Sequence, residues 1–131
     1  MGFKDKINKF VSTHTETREA HSDEALKTRY YKAMKDKAFN EVLTLFGQTP
    51  QFEVKSSSTE RGEIIVIGKG KRKVFLVATI IMVSPLRTAV DFAVTTETSL
   101  PFDFGYSAKV IKEIYQKLDQ RLEYVGSGLG A

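Results

Sequence analysis

The stretch Val74-Phe75-Leu76-Val77-Ala78-Thr79-Ile80-Ile81-Met82-Val83 is the longest apolar run of the chain. Ten residues are too few to span a bilayer as a helix, and most of these ten are β-branched or aromatic. The run therefore predicts a long, central β-strand. Successive side chains of a strand point to opposite faces, and both faces of this strand are largely apolar. We expect each face to be covered by something other than water.

Three further segments have the alternation or the apolar content of strands, and they span residues 51–55, 63–67 and 88–96. The connections between the four strands are short, and each contains Gly or Pro. Short connections cannot form parallel crossovers, so the segments predict an antiparallel meander in chain order.

Helical spacing of apolar residues occurs before and after these strands. A long helix is expected to begin at Ser22 and to end near Gly47 and Pro50, because Leu26, Tyr30 and Met34 start a stripe that continues to Leu45. A second stripe, from Phe104 to Leu122, predicts a last helix capped by Asp103 or Ser107. The predicted fold class is α+β: a two-layer domain in which long helices precede and follow a four-stranded meander, in the order α-α-β-β-β-β-α.

The length of 131 residues fits one domain over residues 1–131. Residues 1–21 are expected to form an amphipathic helix, with Phe3, Ile7, Phe10 and Val11 on its apolar face, followed by a linker. Residues 126–131 are expected to form a flexible tail. The linker contains two histidines and two glutamates, but their spacing matches no metal site, and we interpret the segment as a solvated connector.

Composition narrows the function classes. The chain has no cysteine, which excludes disulfides, a thiolate nucleophile and a Cys-ligated metal. The N-terminus does not have the pattern of a secretory signal, so a cytoplasmic location is expected. No catalytic signature and no cofactor motif is present, and we expect a protein without a cofactor.

The hairpin between the second and third predicted strands is strongly basic, in a chain of net charge +4. Such a tip is a candidate for contacting the phosphates of a nucleic acid or of an anionic lipid. The predicted polyanion-binding residues are Lys69, Lys71, Arg72 and Lys73, with Lys32 and Lys35 from the preceding helix. The alternative is that these charges only keep the protein soluble.

Asp91 is the residue that most suggests catalysis. It lies within a predicted strand, and a covered carboxyl there would have a raised pKa and serve as a general base. We favour the alternative, a carboxylate in water or paired with Lys or Arg, because no second inward acid and no catalytic triad accompany it.

The sequence thus favours a non-enzymatic binding or interaction domain of unknown ligand that self-associates. A symmetric homodimer would cover the second sheet face, or the outer edge strand around Val90–Val94. The N-terminal helix and a small apolar ligand are the other two candidates for covering that face, but the helix looks too small to cover all of it. The predicted interface residues are Phe75, Val77, Ile81, Val83 and Phe92.

Overall fold

The computed structural model describes residues 2–4, 6 and 12–128. Within these ranges the chain forms seven β-strands: β1 His14–Glu16, β2 Arg29–Tyr31, β3 Phe52–Ser58, β4 Glu63–Lys69, β5 Lys73–Ser84, β6 Arg87–Thr96 and β7 Tyr124–Ser127. It also forms two α-helices, α1 Lys35–Gln48 and α2 Tyr106–Leu118, and a 3-10 turn at Glu24–Leu26.

All seven strands belong to one antiparallel sheet. Six of them follow the order β3-β4-β5-β6-β2-β7, and β1 pairs with β6 outside this order. The strand β6 is the most extensively paired, since it pairs with β5 along one edge and with both β1 and β2 along the other. β1 lies opposite residues 93–95, and β2 lies opposite residues 88–90. The predicted strand over residues 74–83 is confirmed as part of β5.

The predicted architecture, a four-stranded meander with long helices before and after it, is wrong. The fold is mostly sheet with two α-helices, and three of its seven strands come from segments that the periodicity assigned to helix, linker or tail. These strands are only three or four residues long. So short a segment carries too little alternation to be distinguished locally from a helix or a loop.

The largest single difference is the helix expected to begin at Ser22. Residues 24–26 form a 3-10 turn whose N-cap is Asp23, residues 29–31 form β2, and the helix begins only at Lys35. The reason is tertiary: Tyr30 and Tyr31 pair with residues of β6, and the Tyr31 side chain is fully buried. The pairing of β2 with its neighbouring strands and the burial of an aromatic side chain outweigh the weak helix propensity of this stretch.

The ends of the chain also differ from expectation. Residues 14–16 of the predicted linker form β1, and residues 126–127 of the predicted tail belong to β7. The last helix ends at Leu118 rather than continuing to Leu122, and its N-cap is Gly105. Of the apolar positions of the predicted N-terminal helix only Phe3 is described, and it is exposed; Ile7, Phe10 and Val11 lie outside the described residues.

The core lies between the two helices and one face of the sheet. From β5 it takes Val74, Leu76, Ala78 and Ile80, each at most 2% exposed. Phe39 and Phe46 of α1 and Ile111 and Tyr115 of α2 pack against that face. Residues 3–4, 6 and 12–13 are helical as well. Neither α1 nor α2 packs against the other face, so the two apolar faces of β5 have different environments. None of the described helices is both long and apolar enough to cross a membrane.

Candidate functional site

The helix-free sheet face, defined here by the odd-numbered residues of β5 and their neighbours, carries large exposed apolar side chains. Phe75, Ile81 and Val83 are 47%, 51% and 52% exposed, and Val77 is half-buried. These four predicted interface residues therefore do share one accessible face. Phe92 does not, because it is 1% exposed and its ring packs against Phe46 and Tyr115 in the core.

One edge of β5 is open at the same end of the sheet. The ladder between β4 and β5 ends at the pair Glu63 and Thr79, and beyond it the amide of Ile80 donates to the carbonyl of Gly62 at 2.7 Å. Backbone groups of alternate residues point to the same side of a strand, so the Met82 backbone also faces the β4 side. No described strand pairs with residues 81–84 on that side. The segment 81–84, called the free β5 edge below, is thus a short unpaired edge.

The other predicted interface, the outer edge around Val90–Val94, is not available. β1 and β2 pair with β6 there, and Thr17 bridges the gap between them by donating its backbone amide to the Phe92 carbonyl at 2.9 Å. A partner subunit has no free backbone groups to pair with along this edge.

Asp91 lies on the helix-free face in the gap between β1 and β2. Its Oδ1 accepts hydrogen bonds of 2.6 Å from the hydroxyls of Thr17 and Thr28. Burial raises the pKa of the Asp91 carboxyl, the two threonine hydrogen bonds oppose that rise, and the charges of Glu19 and Glu16 add to it. The expectation of a carboxylate in water or paired with Lys or Arg is wrong: no such ion pair exists among the described residues, and the residue is half-buried.

A second acid lies near Asp91 in the same network. The Tyr30 hydroxyl donates to the Glu19 carboxylate, and the Arg87 guanidinium lies 4.4 Å from the centre of the Tyr30 ring. Burial, and after it the hydrogen bond to Glu19, raises the pKa of Tyr30 to about 12. The Tyr30 hydroxyl therefore stays protonated at neutral pH. The network holds the segment 17–28 against the sheet and presents no described nucleophile.

The basic hairpin, residues 68–73, splits into paired and unpaired cations. Lys69 pairs with Glu53 at 2.9 Å, and Lys73 pairs with Glu97 at 3.5 Å. Lys71 and Arg72 form no ion pair with any carboxylate of the described chain. Only part of the charge predicted at this tip is therefore free for an anionic partner.

The other predicted polyanion-binding residues lie elsewhere. Lys35 reaches the carbonyl of Glu60 in the β3–β4 turn. Lys32 follows β2, where its backbone amide donates to the backbone carbonyl of Glu123. Both positions are at the opposite end of the sheet from the hairpin, because β5 runs the length of the sheet between them. Lys32 and Lys35 cannot act on one small site with Lys71 and Arg72.

The structure brings a different set of residues to the hairpin. The loop 98–105 packs beside it, with the Arg72 guanidinium 3.5 Å from the Thr98 hydroxyl and 5.9 Å from the centre of the Phe104 ring. Leu100 and Phe102 are each 42% exposed, and Phe104 is 74% exposed. These exposed side chains define the apolar loop. Sequence reasoning assigned Phe104 to the buried stripe of a helix, and the Leu-Pro-Phe-Asp-Phe order was the only available signal of an exposed loop.

Asp103 holds the apolar loop in place. Its carboxylate accepts hydrogen bonds from the Thr96 hydroxyl at 2.8 Å and from the amides of Gly105 and Ser107 at 3.0 Å each. Burial by itself raises the pKa of this carboxyl, but these hydrogen bonds outweigh it and the pKa of Asp103 is lowered. The Asp103 carboxylate thus binds the first turn of α2 and also fixes the loop to the end of β6.

The described part of the chain contains clefts but no cluster of metal ligands. The cleft between α2 and strands β3–β5, lined by Phe52, Val74 and Ile114, encloses about 30 Å³. That volume is too small for an organic ligand, but two open depressions are larger: about 360 Å³ beside Ile67 and Phe75, and about 420 Å³ beside His14 and His21. No group of three potential metal ligands is found among the described residues; His14 contacts Thr95 and Glu16, and the His21 Nδ1 accepts from the Asp23 amide.

Comparison of the chain with protein-family models, with curated proteins and with solved structures finds no match.

Proposed function

We propose that this protein is a non-enzymatic binding domain that self-associates, and that two copies meet at the free β5 edge and the adjoining helix-free face. The observation that carries the proposal is that residues 81–84 combine an unpaired backbone edge with large exposed side chains. We keep the cytoplasmic location expected from the sequence as part of the same proposal.

The end of the β5–β6 hairpin carries four exposed apolar side chains. Ile81, Met82 and Val83 are 51%, 39% and 52% exposed, and Leu86 in the turn is 51% exposed. The pairing of β5 with β6 has an irregularity between Met82 and Ser84. Met34, which immediately precedes α1, is 47% exposed as well. An exposed apolar strand edge is a site of strand pairing that monomeric proteins normally block with charge, proline or a covering element.

The sheet order places β3 and β7 at the two edges, and β3 has such a block. In β3, Glu53 forms ion pairs with Lys55 and Lys69, and the strand ends in three serines. Lys69 and, after it, Lys55 lower the pKa of Glu53 to about 2, so this carboxylate keeps its charge across the physiological range. The contrast between a charged β3 edge and an apolar β5 edge supports β5 as the edge that binds.

A second copy of the chain is the occupant that suits this edge. Two identical antiparallel strands related by a two-fold axis satisfy each other's backbone groups, and two-fold dimers are the commonest closed assemblies. The same axis would bring the two helix-free faces side by side, which reduces the exposed area of Ile81 and Val83 in both copies.

The test compares the parent protein with Ile81→Lys/Val83→Lys by sedimentation equilibrium at tens of micromolar. Lysines on a strand edge oppose pairing by charge and by solvation, so the double variant should be monomeric and the parent dimeric. Both positions are exposed, so the melting temperature of the monomer fold should change little. Val125→Lys, at a 39% exposed residue of β7, is the matched control and should remain dimeric.

A parent protein that is monomeric at this concentration contradicts the proposal, and so does a double variant that still forms the dimer.

A further inference from the structure

We infer that the opposite end of the sheet, formed by the apolar loop and the basic hairpin, docks on the surface of an anionic lipid bilayer. The proposed binding residues are Leu100, Phe102 and Phe104, which enter the interfacial region, and Lys71, Arg72 and Lys109, which lie beside them and contact lipid phosphates. This surface is independent of the one proposed for self-association.

Phe104 is the first line of evidence. Its ring is 74% exposed, and its backbone has a φ of 56°, in the left-handed region that residues with a Cβ atom seldom occupy. The fold therefore holds a large apolar side chain in water in an unfavourable backbone conformation. Outliers of this kind concentrate where a segment contacts a ligand or a partner.

Phe104 does not stand alone. Phe102 contacts it edge to face, with ring centroids 4.6 Å apart, and Leu100 lies two residues earlier with 42% of its surface exposed. Three large apolar side chains at alternate positions of one loop give an apolar projection, and Pro101 stiffens it. An apolar projection of aromatic and aliphatic residues is suited to the boundary between headgroups and acyl chains.

The cations around the projection are the second line of evidence. Lys71, Lys109 and the apolar residue Phe104 line one shallow depression with Arg72. None of these three cations pairs with a carboxylate of the described chain, whereas the neighbouring Lys69 and Lys73 are both paired. Asp103, the acid in the same depression, is 2% exposed and is occupied with capping α2. The unpaired charge in this depression is therefore positive.

A lipid surface fits these features better than a single-stranded nucleic acid. Base stacking needs a free flat ring face. Here the Arg72 guanidinium lies over one ring, and the two phenylalanine rings meet at 87°, edge to face. Leu100 adds an aliphatic group that cannot stack. Apolar side chains surrounded by unpaired cations are the combination that anionic bilayers bind.

The charge contribution is tested by sedimentation of the full chain with vesicles of phosphatidylcholine alone and of phosphatidylcholine mixed with phosphatidylserine. Binding to the mixed vesicles only is expected. Lys71→Gln/Lys109→Gln should weaken that binding by roughly fivefold per lysine, and the difference should shrink as salt rises. The matched control is Lys32→Gln/Lys37→Gln, which removes the same charge from exposed lysines elsewhere and should leave the affinity unchanged.

The apolar contribution is tested with a tryptophan reporter, because the chain contains no tryptophan. Phe104→Trp should show a blue shift of its emission and quenching by brominated acyl chains when mixed vesicles are added. Val125→Trp, which places the reporter on β7, should show neither change. Phe102→Ser/Phe104→Ser should lose vesicle binding while keeping the parent's melting temperature, since both rings are exposed.

The inference is overturned if the parent does not bind the mixed vesicles, or if it binds single-stranded RNA and not vesicles. It is also overturned if the control lysine substitutions weaken binding as much as the test substitutions. Sedimentation equilibrium on the same variants separates this result from the self-association proposal. Vesicle-binding variants should keep the parent's oligomeric state, and a monomeric parent that binds vesicles leaves the present inference intact.

Discussion

The hydroxyl of Thr17 donates a 2.6 Å hydrogen bond to the Asp91 carboxylate and accepts one of 2.9 Å from the Phe92 amide. This pair of contacts attaches the segment after β1 to the middle of β6. Thr28 makes the equivalent contact to the same oxygen of Asp91 from the start of β2. A half-buried carboxyl therefore holds together the two short strands that complete the sheet.

Replacement of Asp91 tests this role and its pH dependence. Because the folded-state pKa is raised, the protonated carboxyl favours folding: that stability is fully present below the unfolded pKa and is lost as pH rises through the folded pKa. Asp91→Asn keeps an acceptor oxygen and carries no charge. We expect it to be at least as stable as the parent at neutral pH, with an advantage that grows from acid to neutral pH in urea unfolding.

Asp91→Ala is the contrasting variant. It leaves the hydroxyls of Thr17 and Thr28 without their acceptor, and we expect a loss of about 1–3 kcal/mol at neutral pH. A loss of the same size in Asp91→Asn would contradict the role given to the hydrogen bonds.

Two adjacent residues of β5 test the assignment of the sheet faces. Ile80 is 1% exposed and Ile81 is 51% exposed. Ile80→Asp should prevent folding, since an unpaired charge in the core costs several kcal/mol and the whole stability of a domain is about 5–15 kcal/mol. Ile81→Asp should fold and melt cooperatively near the parent temperature. Thermal unfolding followed by circular dichroism tests both variants. A cooperative transition of Ile80→Asp near the parent temperature would show that the two sheet faces are assigned wrongly.

Substitution by alanine is expected to change the stability in opposite directions at two glycines, Gly62 and Gly47. Gly62 has a φ of 67°, and a Cβ there would lie 2.2 Å from the Ile80 carbonyl oxygen. Gly62→Ala should therefore lower the free energy of unfolding by more than about 1 kcal/mol. Gly47 lies in α1 with nothing within 4 Å of its added Cβ, so Gly47→Ala should raise it by about 0.5–1 kcal/mol. Denaturant midpoints of the two variants and the parent check both predictions. A Gly62→Ala variant as stable as the parent, or a Gly47→Ala variant less stable than the parent, would contradict them.

The Asp103 cap gives a pH prediction of the opposite sign to Asp91. Its folded pKa is lowered, so its stabilisation is present above the unfolded pKa, ordinarily about 3.9, and is lost as pH falls through the folded pKa. Asp103→Ala should cost about 1–3 kcal/mol at neutral pH, from lost hydrogen bonds to Thr96 and to the start of α2. The difference from the parent should narrow in acid. A difference that is constant with pH would show that the charge of the carboxylate plays no part.

The local sequence was sufficient for β5 and for the strands that flank it in the chain. A ten-residue apolar run, and short connections with Gly or Pro, leave few alternatives to antiparallel neighbours. It was also sufficient to show that both sides of β5 are apolar, because side-chain alternation along a strand is a property of the backbone alone.

The sequence could not determine which of these two faces is covered by helices, since both faces have similar apolar content. It could not identify β2 either, because Arg29–Tyr31 lies inside a stretch with helical spacing and becomes a strand only through pairing with Thr88–Val90, some 60 residues later. The sequence could not predict which residues form the candidate binding surfaces either. Lys71 and Arg72 are distant in sequence from Phe104 and Lys109, and only the packing of α2 against the end of the sheet brings the two pairs together. Periodicity reports whether a side chain prefers burial, whereas the partner that buries it or leaves it exposed is decided by contacts between distant segments.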